Sequence, residues 1–493
     1  MNHSSLTVMQ RQSVARTLWS PRLLMTEILA GLVTSLALIP EALAFAVVAG
    51  IDPQTGLFTS VILAMVIAFT GGRPAMISGA AGSTALVIAP LVASHGTDFL
   101  VPTVLLAGVL QIAFAVLGVA KLMRFIPRQV MVGFVNALAI LIFSSQLPQL
   151  IGVPWLVYPM VFVGVALVFG LPKLSAAIPA PLVVIVMLTL FTVLAGARVP
   201  TVGDFGQLPS SLPALFFPSV PLTWGTLQVI LPYALGVAFV GLVESLMTAK
   251  LVDDITDTHS NKTRESWGLG VANLATGVFG GMGGCAMIGQ TMINVNGARA
   301  RTRISTFFAG FFILVLSLAL GDIVAMIPMA ALVSIMVFVS LITFDWHSVS
   351  PGTLRAMPRS ETAVMIATVV VTVFSHNLAL GVGAGILLAM VLFARRVAHL
   401  VTVSREVADG TATYTVTGQL FFASSNDLYT LFEYTEDPDE VVIDMSNSHV
   451  WDASTVSALD SVVTKYHRLG KTATVVGLNA VSGALHGRLT GRL

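Results

Sequence analysis

Hydrophobic and polar positions along most of this chain come in blocks, not in alternation. From residue 24 to residue 394, apolar runs are separated by short breaks rich in Lys, Arg, Pro and Gly. Fourteen runs can be drawn, at 24–50, 55–70, 75–94, 100–120, 129–147, 157–171, 180–197, 226–250, 266–280, 284–297, 304–321, 328–344, 361–375 and 379–394. A straight helix needs roughly 20 apolar residues to cross a bilayer, and several runs are shorter. The pattern predicts a multi-pass, all-α membrane protein. Near residue 397 the pattern changes to short alternating stretches with denser charge. The expected organisation is an N-terminal segment over 1–22, a transmembrane domain over 23–396 and a small soluble α/β domain over 397–493.

Charge gives the blocks an orientation. With the N-terminus inside, the inner loops hold Arg73, the group Lys121, Arg124 and Arg128, then Lys173, then Lys250, Lys262 and Arg264. They also hold Arg299, Arg301 and Arg303, then Arg355 and Arg359, and finally Arg395 and Arg396. The outer loops hold only Arg198. That bias satisfies the positive-inside rule, and an even number of crossings leaves the tail in the cytoplasm with the N-terminus. The long Pro-rich connection at 198–225 divides the runs seven and seven. Seven is odd, so the second half enters from the opposite side, the arithmetic of an inverted repeat.

Composition agrees and narrows the classes. The chain has 493 residues, 56% hydrophobic and 10% charged, with mean hydropathy +0.90, whereas soluble domains carry about a quarter charged residues. A net charge of +1 gives no electrostatic footprint for nucleic acid, and no nucleic-acid partner is expected. The single cysteine, Cys285, excludes an intrachain disulfide framework and reads as a small packing residue. His95 and His376 sit at run ends and read as interfacial. With no Cys/His metal spacing, phosphate-binding loop or nucleophile triad, neither an enzyme nor a metal or other cofactor is expected.

Two runs are interrupted in the same way. The third opens "AMISGAAGSTALVIAP" at 75–90, and "GGRPAMISG" at 71–79 is answered by "GGMGGCAMIG" at 280–289, before the tenth run. Non-helical backbone at membrane depth must be buried in protein or line a cavity. Two half-helices starting there would aim free N–H groups at one place, and helix N-termini favour an anion. Small residues at Gly79, Gly82, Ser83, Gly289 and Thr291 would let a ligand approach the backbone. The competing explanation is close helix packing by small residues.

The acidic residues well inside apolar runs are Glu41, in "LALIPEALAFA", and Glu244, in "FVGLVESLMTAK". They occupy the first and eighth runs, which correspond in the two halves. A carboxylate buried in a membrane is costly when charged, which makes each a natural carrier of a proton or cation. Glu41 is expected to be the direct coupling group, because Pro40 and Phe45 frame it as a cavity residue.

At this point the residues resemble the sulfate permease (SulP) family of anion transporters. "ALIPEALAFAVVAGIDPQTGLFTS" at 37–60 is similar to the family's first-span signature and following turn. "GSTALV" at 82–87 is similar to its third-span start, and "GCAMIGQTMINVNGARARTR" at 284–303 to its tenth span and basic loop. The resemblance covers nearly the whole chain. It implies the fold of uracil and xanthine permeases, with fourteen spans as a seven-plus-seven inverted repeat arranged in core and gate domains. It implies an anion between the third and tenth half-helices, with Glu41 as the first-span polar residue, Phe45 as its aromatic neighbour, and Ser83, Thr84 and Gln290 at the contact positions of the two half-helices. Together with the small residues and carboxylates read above, the expected substrate-binding set is Phe45, Gly82, Ser83, Thr84, Gly289, Gln290 and Thr291, and the expected ion-coupling pair is Glu41 and Glu244. Animal members carry Arg where this chain has Gln290, and many members carry Gln where it has Glu41. Both departures make the site more negative and point to co-transport with a cation, most simply a proton.

The tail resembles the family's STAS domain. "YTVTGQLFFASS" reads as an opening strand pair, "VVIDMSNSHVWDASTVSALDSVV" as strand, loop and helix, and "TATVVGLN" as a further strand. In soluble anti-sigma antagonists, the Ser directly after the loop Asp is phosphorylated. Here Ala453 follows Asp452, so a folding or assembly role is expected over a phosphorylation switch. The expected partners are the lipid bilayer, a proton, a second copy of the chain in a homodimer, and a small anion such as sulfate, bicarbonate or a dicarboxylate like fumarate. An anion channel, an uncoupled exchanger and a nucleobase permease on the same fold stay open as alternatives.

Overall fold

In the computed structural model, residues 13–122, 126–174, 180–206, 209, 211–216, 220–221, 223–398, 401–425 and 428–492 are described. Residues 1–12 of the N-terminal segment and the inner-loop Arg124 lie outside them. The chain divides into two compact units, one ending at Gly385 and one beginning at Ile386. The break falls inside the last apolar helix.

Helices occur at every expected apolar run. They are α1 (Pro21–Val48), α2 (Pro53–Thr70), α3 (Gly82–His95), α4 (Leu100–Val116), α5 (Arg128–Gln146), α6 (Val157–Leu174) and α7 (Ala180–Ala195) in the first half. The second half contains α8 (Trp224–Thr256), α9 (Lys262–Val278), α10 (Ile288–Met292), α11 (Arg303–Ala319), α12 (Met329–Thr343), α13 (Arg359–Ser375) and α14 (Leu378–Ala398). Among the described residues, six helices are long and apolar enough to cross a membrane, and five further apolar helices have 10–17 residues. Pro21 and Pro53 start α1 and α2 at the first helical position, where the missing N–H costs nothing. Between α2 and α3 lies strand β1 (Ser78–Gly79), and between α9 and α10 lies β2 (Cys285–Ala286). A π-helical turn, Ile293–Gly297, extends α10.

The helices sort into two groups. In the core group α1 packs on α2 and α11, α2 on α9 and α11, and α4 and α3 on α8. In the gate group α5 packs on α12 and α13, and α6 on α7 and α12. Each group draws corresponding helices from both halves, as an inverted repeat requires. Lipid supplies no hydrophobic force between helices, so close backbone approach through small residues does this work. The α4–α9 crossing is reciprocal: a Cβ on Gly108 would lie 2.8 Å from the Gly270 carbonyl oxygen, and one on Gly270 2.7 Å from that of Gly108. In α1 and α2, Gly31 meets Phe308 and Ala309 of α11, and Gly56 meets the Ala42 carbonyl. Gly381 of α14 does the same against Thr372 of α13.

The second unit is a four-stranded sheet in the order β3-β4-β5-β6, comprising β3 (Thr402–Ala408), β4 (Thr411–Leu420), β5 (Glu440–Val450) and β6 (Thr472–Val476). β3 and β4 are antiparallel, and the other pairs are parallel. The opening strand pair therefore lies earlier than the sequence reading put it, and Phe422–Ser425 is a helical turn. The missed signal is Asp409-Gly410. Both residues have positive φ, 50° and 78°, the signature of a two-residue hairpin turn. Helix α15 (Ala453–Arg468) packs Val456, Leu459, Val462 and Tyr466 onto the sheet, and α16 (Ala480–Leu489) follows β6. Asp452 caps α15 by accepting from the Thr455 N–H at 3.0 Å, while Ser454 in its first turn is exposed.

Candidate functional site

The two Gly-rich interruptions meet. β1 and β2 pair antiparallel, with Ser78 opposite Ala286 and Gly79 opposite Cys285. The approach depends on glycine, since a Cβ on Gly284 would sit 2.0 Å from the Gly79 carbonyl oxygen. Two-residue strands leave most neighbouring backbone groups unpaired, and buried polar groups are costly without partners. Side chains of surrounding helices supply them. Ser60 accepts from the Ala80 N–H at 3.0 Å, Ser245 from Ala286 at 3.0 Å, Thr59 from Met282 at 2.9 Å and Asn273 from Gly284 at 2.9 Å. Asn294 donates to the Ala75 carbonyl at 2.8 Å and Thr306 to that of Met76 at 3.2 Å. The sequence reading passed over these residues. Their signal was a polar side chain recurring inside apolar runs.

Helices α3 and α10 then start from Ala81 and Met287, and neither start has a side-chain cap. Phe45 of α1 lies over the first of them, where a Cβ on Gly82 would come within 2.8 Å of its ring. Beside the second, a Cβ on Gly289 would meet nothing within 4 Å, and Gly289 is exposed. The site therefore has one packed wall and one open wall.

Each of the two carboxylates lies beside the half-helix of the other repeat. Glu41, half-buried on α1 of the first half, lies beside Gln290 of α10. Glu244, on α8 of the second half, accepts from Ser83 Oγ of α3 through its Oε2. Cys285 Sγ donates to the same oxygen at 3.1 Å. Cys285, read from sequence as packing, thus engages one of the two carboxylates. Pro40, just before Glu41 inside α1, removes one helical hydrogen bond there.

The two threonines of the expected set hold the scaffold. Thr84 Oγ1 donates to the Ala81 carbonyl at 2.9 Å. Thr291 Oγ1 accepts from the Ile77 N–H at 3.0 Å, tying α10 to the segment before β1. Phe45, Gly82, Ser83, Gly289 and Gln290 surround the two helix starts.

At one end of the core group, four basic residues from the expected inner loops cluster. Arg73 pairs with Asp253 at 2.8 Å, and Lys262 with the same carboxylate at 2.7 Å. Arg303 donates to the Ala68 and Gly71 carbonyls, and Arg264 to those of Phe69 and Thr70. The orphan carbonyls at the end of α2 are thereby satisfied. Glu265 accepts from the next two N–H groups, Gly72 at 2.7 Å and Arg73 at 2.9 Å.

Comparison with known proteins places this arrangement. The sulfate permease family model matches residues 24–163 and 156–368, and the STAS domain model matches 402–482. The chain is 48% identical over 459 residues to the Bacillus subtilis protein named "Putative sulfate transporter YbaR", covering 93% of this chain and 95% of that one. It is 28% identical over 415 residues to the bicarbonate transporter BicA of Picosynechococcus, covering 76% and 71%. The transmembrane domain of a cyanobacterial BicA superposes with TM-score 0.65 at 26% identity, over 75% of this chain and 98% of that one. SLC26A9 superposes with TM-score 0.81 at 15% identity, over 98% and 88%, and so shares the fold. An inverted-repeat membrane unit of core and gate helices, followed by an α/β unit, fits these matches along its length: the chain belongs to the sulfate permease family of membrane anion transporters and carries a C-terminal STAS domain.

Proposed function

We propose that this protein is a secondary active transporter that carries a small anion together with a proton by alternating access. The anion, which we take to be sulfate, bicarbonate or a small dicarboxylate such as fumarate, is held at the starts of α3 and α10. The observation that carries this reading is the contact between Ser83, in the first turn of α3, and the Glu244 carboxylate. No Lys or Arg side chain is needed to hold the anion, because uncapped N–H groups supply the attraction. A proton on a carboxylate beside the site offsets the charge that must move through a low-dielectric barrier. Helix packing supports rocking of the core group against the gate group. Glu244, which touches an anion-binding residue directly, is the first candidate for coupling, and Glu41 with Gln290 shapes the opposite wall.

The same reading takes fourteen crossings, a transmembrane domain over 23–396, a homodimer, and the N-terminus and STAS domain in the cytoplasm. The clustering of Arg73, Lys262, Arg264 and Arg303 at one end of the core group supports that orientation. The test is uptake of radiolabelled sulfate, bicarbonate and fumarate into proteoliposomes under an inward proton gradient. Uptake that follows the gradient at zero membrane potential is expected. Uptake that follows membrane potential and ignores the gradient would identify a channel, and uptake dependent only on a counter-anion an uncoupled exchanger.

A further inference from the structure

Ser83, Cys285 and Glu244 form a closed triangle of polar atoms. Ser83 and Cys285 are fully buried, and Glu244 is 7% exposed. Ser83 Oγ and Cys285 Sγ both donate to Glu244 Oε2 and lie 3.6 Å from each other. Backbone geometry fixes the triangle. Cys285 pairs with Gly79 of β1, and its neighbour Ala286 is bonded to Ser245, next to Glu244 on α8. Thiol and carboxylate are therefore held on one hydrogen-bonded scaffold.

A serine hydroxyl has a single hydrogen to donate, although its oxygen can still accept. An ionised carboxylate only accepts, so ionised Glu244 consumes that hydrogen. A protonated carboxyl group has become a donor on Oε2, and the Ser83 oxygen beside it becomes its acceptor. The serine hydrogen must then point elsewhere, and Ser83 sits in the uncapped first turn of α3.

Resting on the proposed anion site, we propose that the Ser83 hydrogen is the switch that couples proton to anion. It is spent on Glu244 when that residue is ionised and turned to the anion when Glu244 is protonated. Cys285 is a positioning residue that holds Oε2 beside Ser83 in both states. The proton comes from water on the acidic side and ends on Oε2. Ser83 keeps its own hydrogen and accepts the new one, and Cys285 goes on donating to Oε2. The anion gains a donor only when the proton is bound, so the two ligands reinforce each other reciprocally.

The helices packed against α8 leave this device isolated. On α4 the facing polar group is Gln111 and on α9 Asn273, both neutral and bonded to each other at 2.9 Å. On α3 it is Ser83 and on β2 Cys285. On α10 the polar group is Gln290, neutral and beside Glu41 of α1. Glu265 of α9 is bonded to the Gly72–Arg73 backbone, and Asp253, near the C-terminal end of α8, to Arg73 and Lys262.

The test uses the full-length protein in proteoliposomes with the same three labelled anions, comparing KM in mildly alkaline and mildly acidic medium. For the anion transported, KM of the unaltered protein should fall about fivefold or more on acidification, a typical linkage factor. In Ser83→Ala, uptake should drop and the remaining KM should no longer depend on pH, whereas Ser83→Thr should restore the dependence. Cys285→Ser should keep it and Cys285→Ala should blunt it. Should Ser83→Ala fail to fold, Cys285→Ala carries the same test without altering α3. A second readout needs no transport: the infrared band of the protonated carboxyl group should shift when sulfate, bicarbonate or fumarate is added, and not in Ser83→Ala. Ser83→Ala or Cys285→Ala with the unaltered protein's KM-versus-pH curve, or Ser83→Ala with its infrared shift, overturns the switch while leaving proton-coupled transport standing. An unaltered protein that takes up none of the three anions, or ignores the proton gradient, overturns the parent reading and the switch with it.

Discussion

Gly79 lies opposite Cys285 in the two-residue ladder that joins the repeats, and this pairing decides where everything else in the site can stand. It places the start of α3 beside a carboxylate of the second half and the start of α10 beside a carboxylate of the first. The crossed arrangement separates the expected effects of changing each.

Replacing the carboxylates should give different phenotypes. Glu244→Gln keeps the shape but cannot change protonation state, so acid-stimulated uptake should disappear while anion binding survives. Glu41→Gln leaves an amide facing Gln290, so its main effect should be a raised KM with acid stimulation largely kept. Uptake at several pH values for both variants checks this, and full acid stimulation in Glu244→Gln would remove that residue from coupling.

Two glycines of one segment should respond oppositely to alanine. In Gly284→Ala the new methyl collides with the Gly79 carbonyl, and overpacking of about 3 kcal/mol or more is expected, so little folded protein should be recovered. Gly289→Ala meets open space and should fold normally. Gly289→Leu should fold too, yet fill the site and abolish uptake. Size-exclusion profiles with uptake on the recovered fractions distinguish these outcomes.

Asp253 is the acceptor for Arg73 and Lys262 together. Asp253→Ala leaves the Arg73 guanidinium, held among buried groups, without its carboxylate, a change typically costing about 3 kcal/mol. The melting temperature of the purified chain should fall accordingly, and Asp253→Asn should recover only part of the loss.

In the STAS unit, Asp437 is buried and accepts from Tyr414 at 2.7 Å, Tyr466 at 2.5 Å and Arg405 at 2.7 Å. Burial, the largest cause, and the Asp437 bond both hold the Tyr466 hydroxyl well above the ordinary tyrosine range. Asp437→Ala should destabilise this unit by about 3 kcal/mol in the full chain, read as faster amide exchange confined to β4, β5 and α15. Because transport is proposed to reside in the membrane unit, turnover per folded molecule should stay near its original value. The same should hold for a truncation after Arg396, with lower yield.

Membrane class, helix positions and an α/β tail were legible in the sequence because they depend on local quantities: hydropathy over a run, charge in a break, and Pro or Gly at a boundary. The echo of "AMISG" in "CAMIG" and the isolation of Glu41 and Glu244 also marked the candidate site, because a carboxylate or a broken helix in apolar surroundings is costly enough to need a reason. Which carboxylate meets which helix start was not legible. Ser83 and Glu244 are 161 positions apart, and their contact exists only because the two halves fold in inverted sense around the Gly79–Cys285 pairing. The bonding of Cys285 and the backbone anchoring by Thr84, Thr291, Ser245 and Asn273 belong to the same class. A hydroxyl, thiol or amide in an apolar run has the same local signature whether it packs, supports a broken strand or faces a ligand, and only the partner brought to it by the tertiary fold decides which.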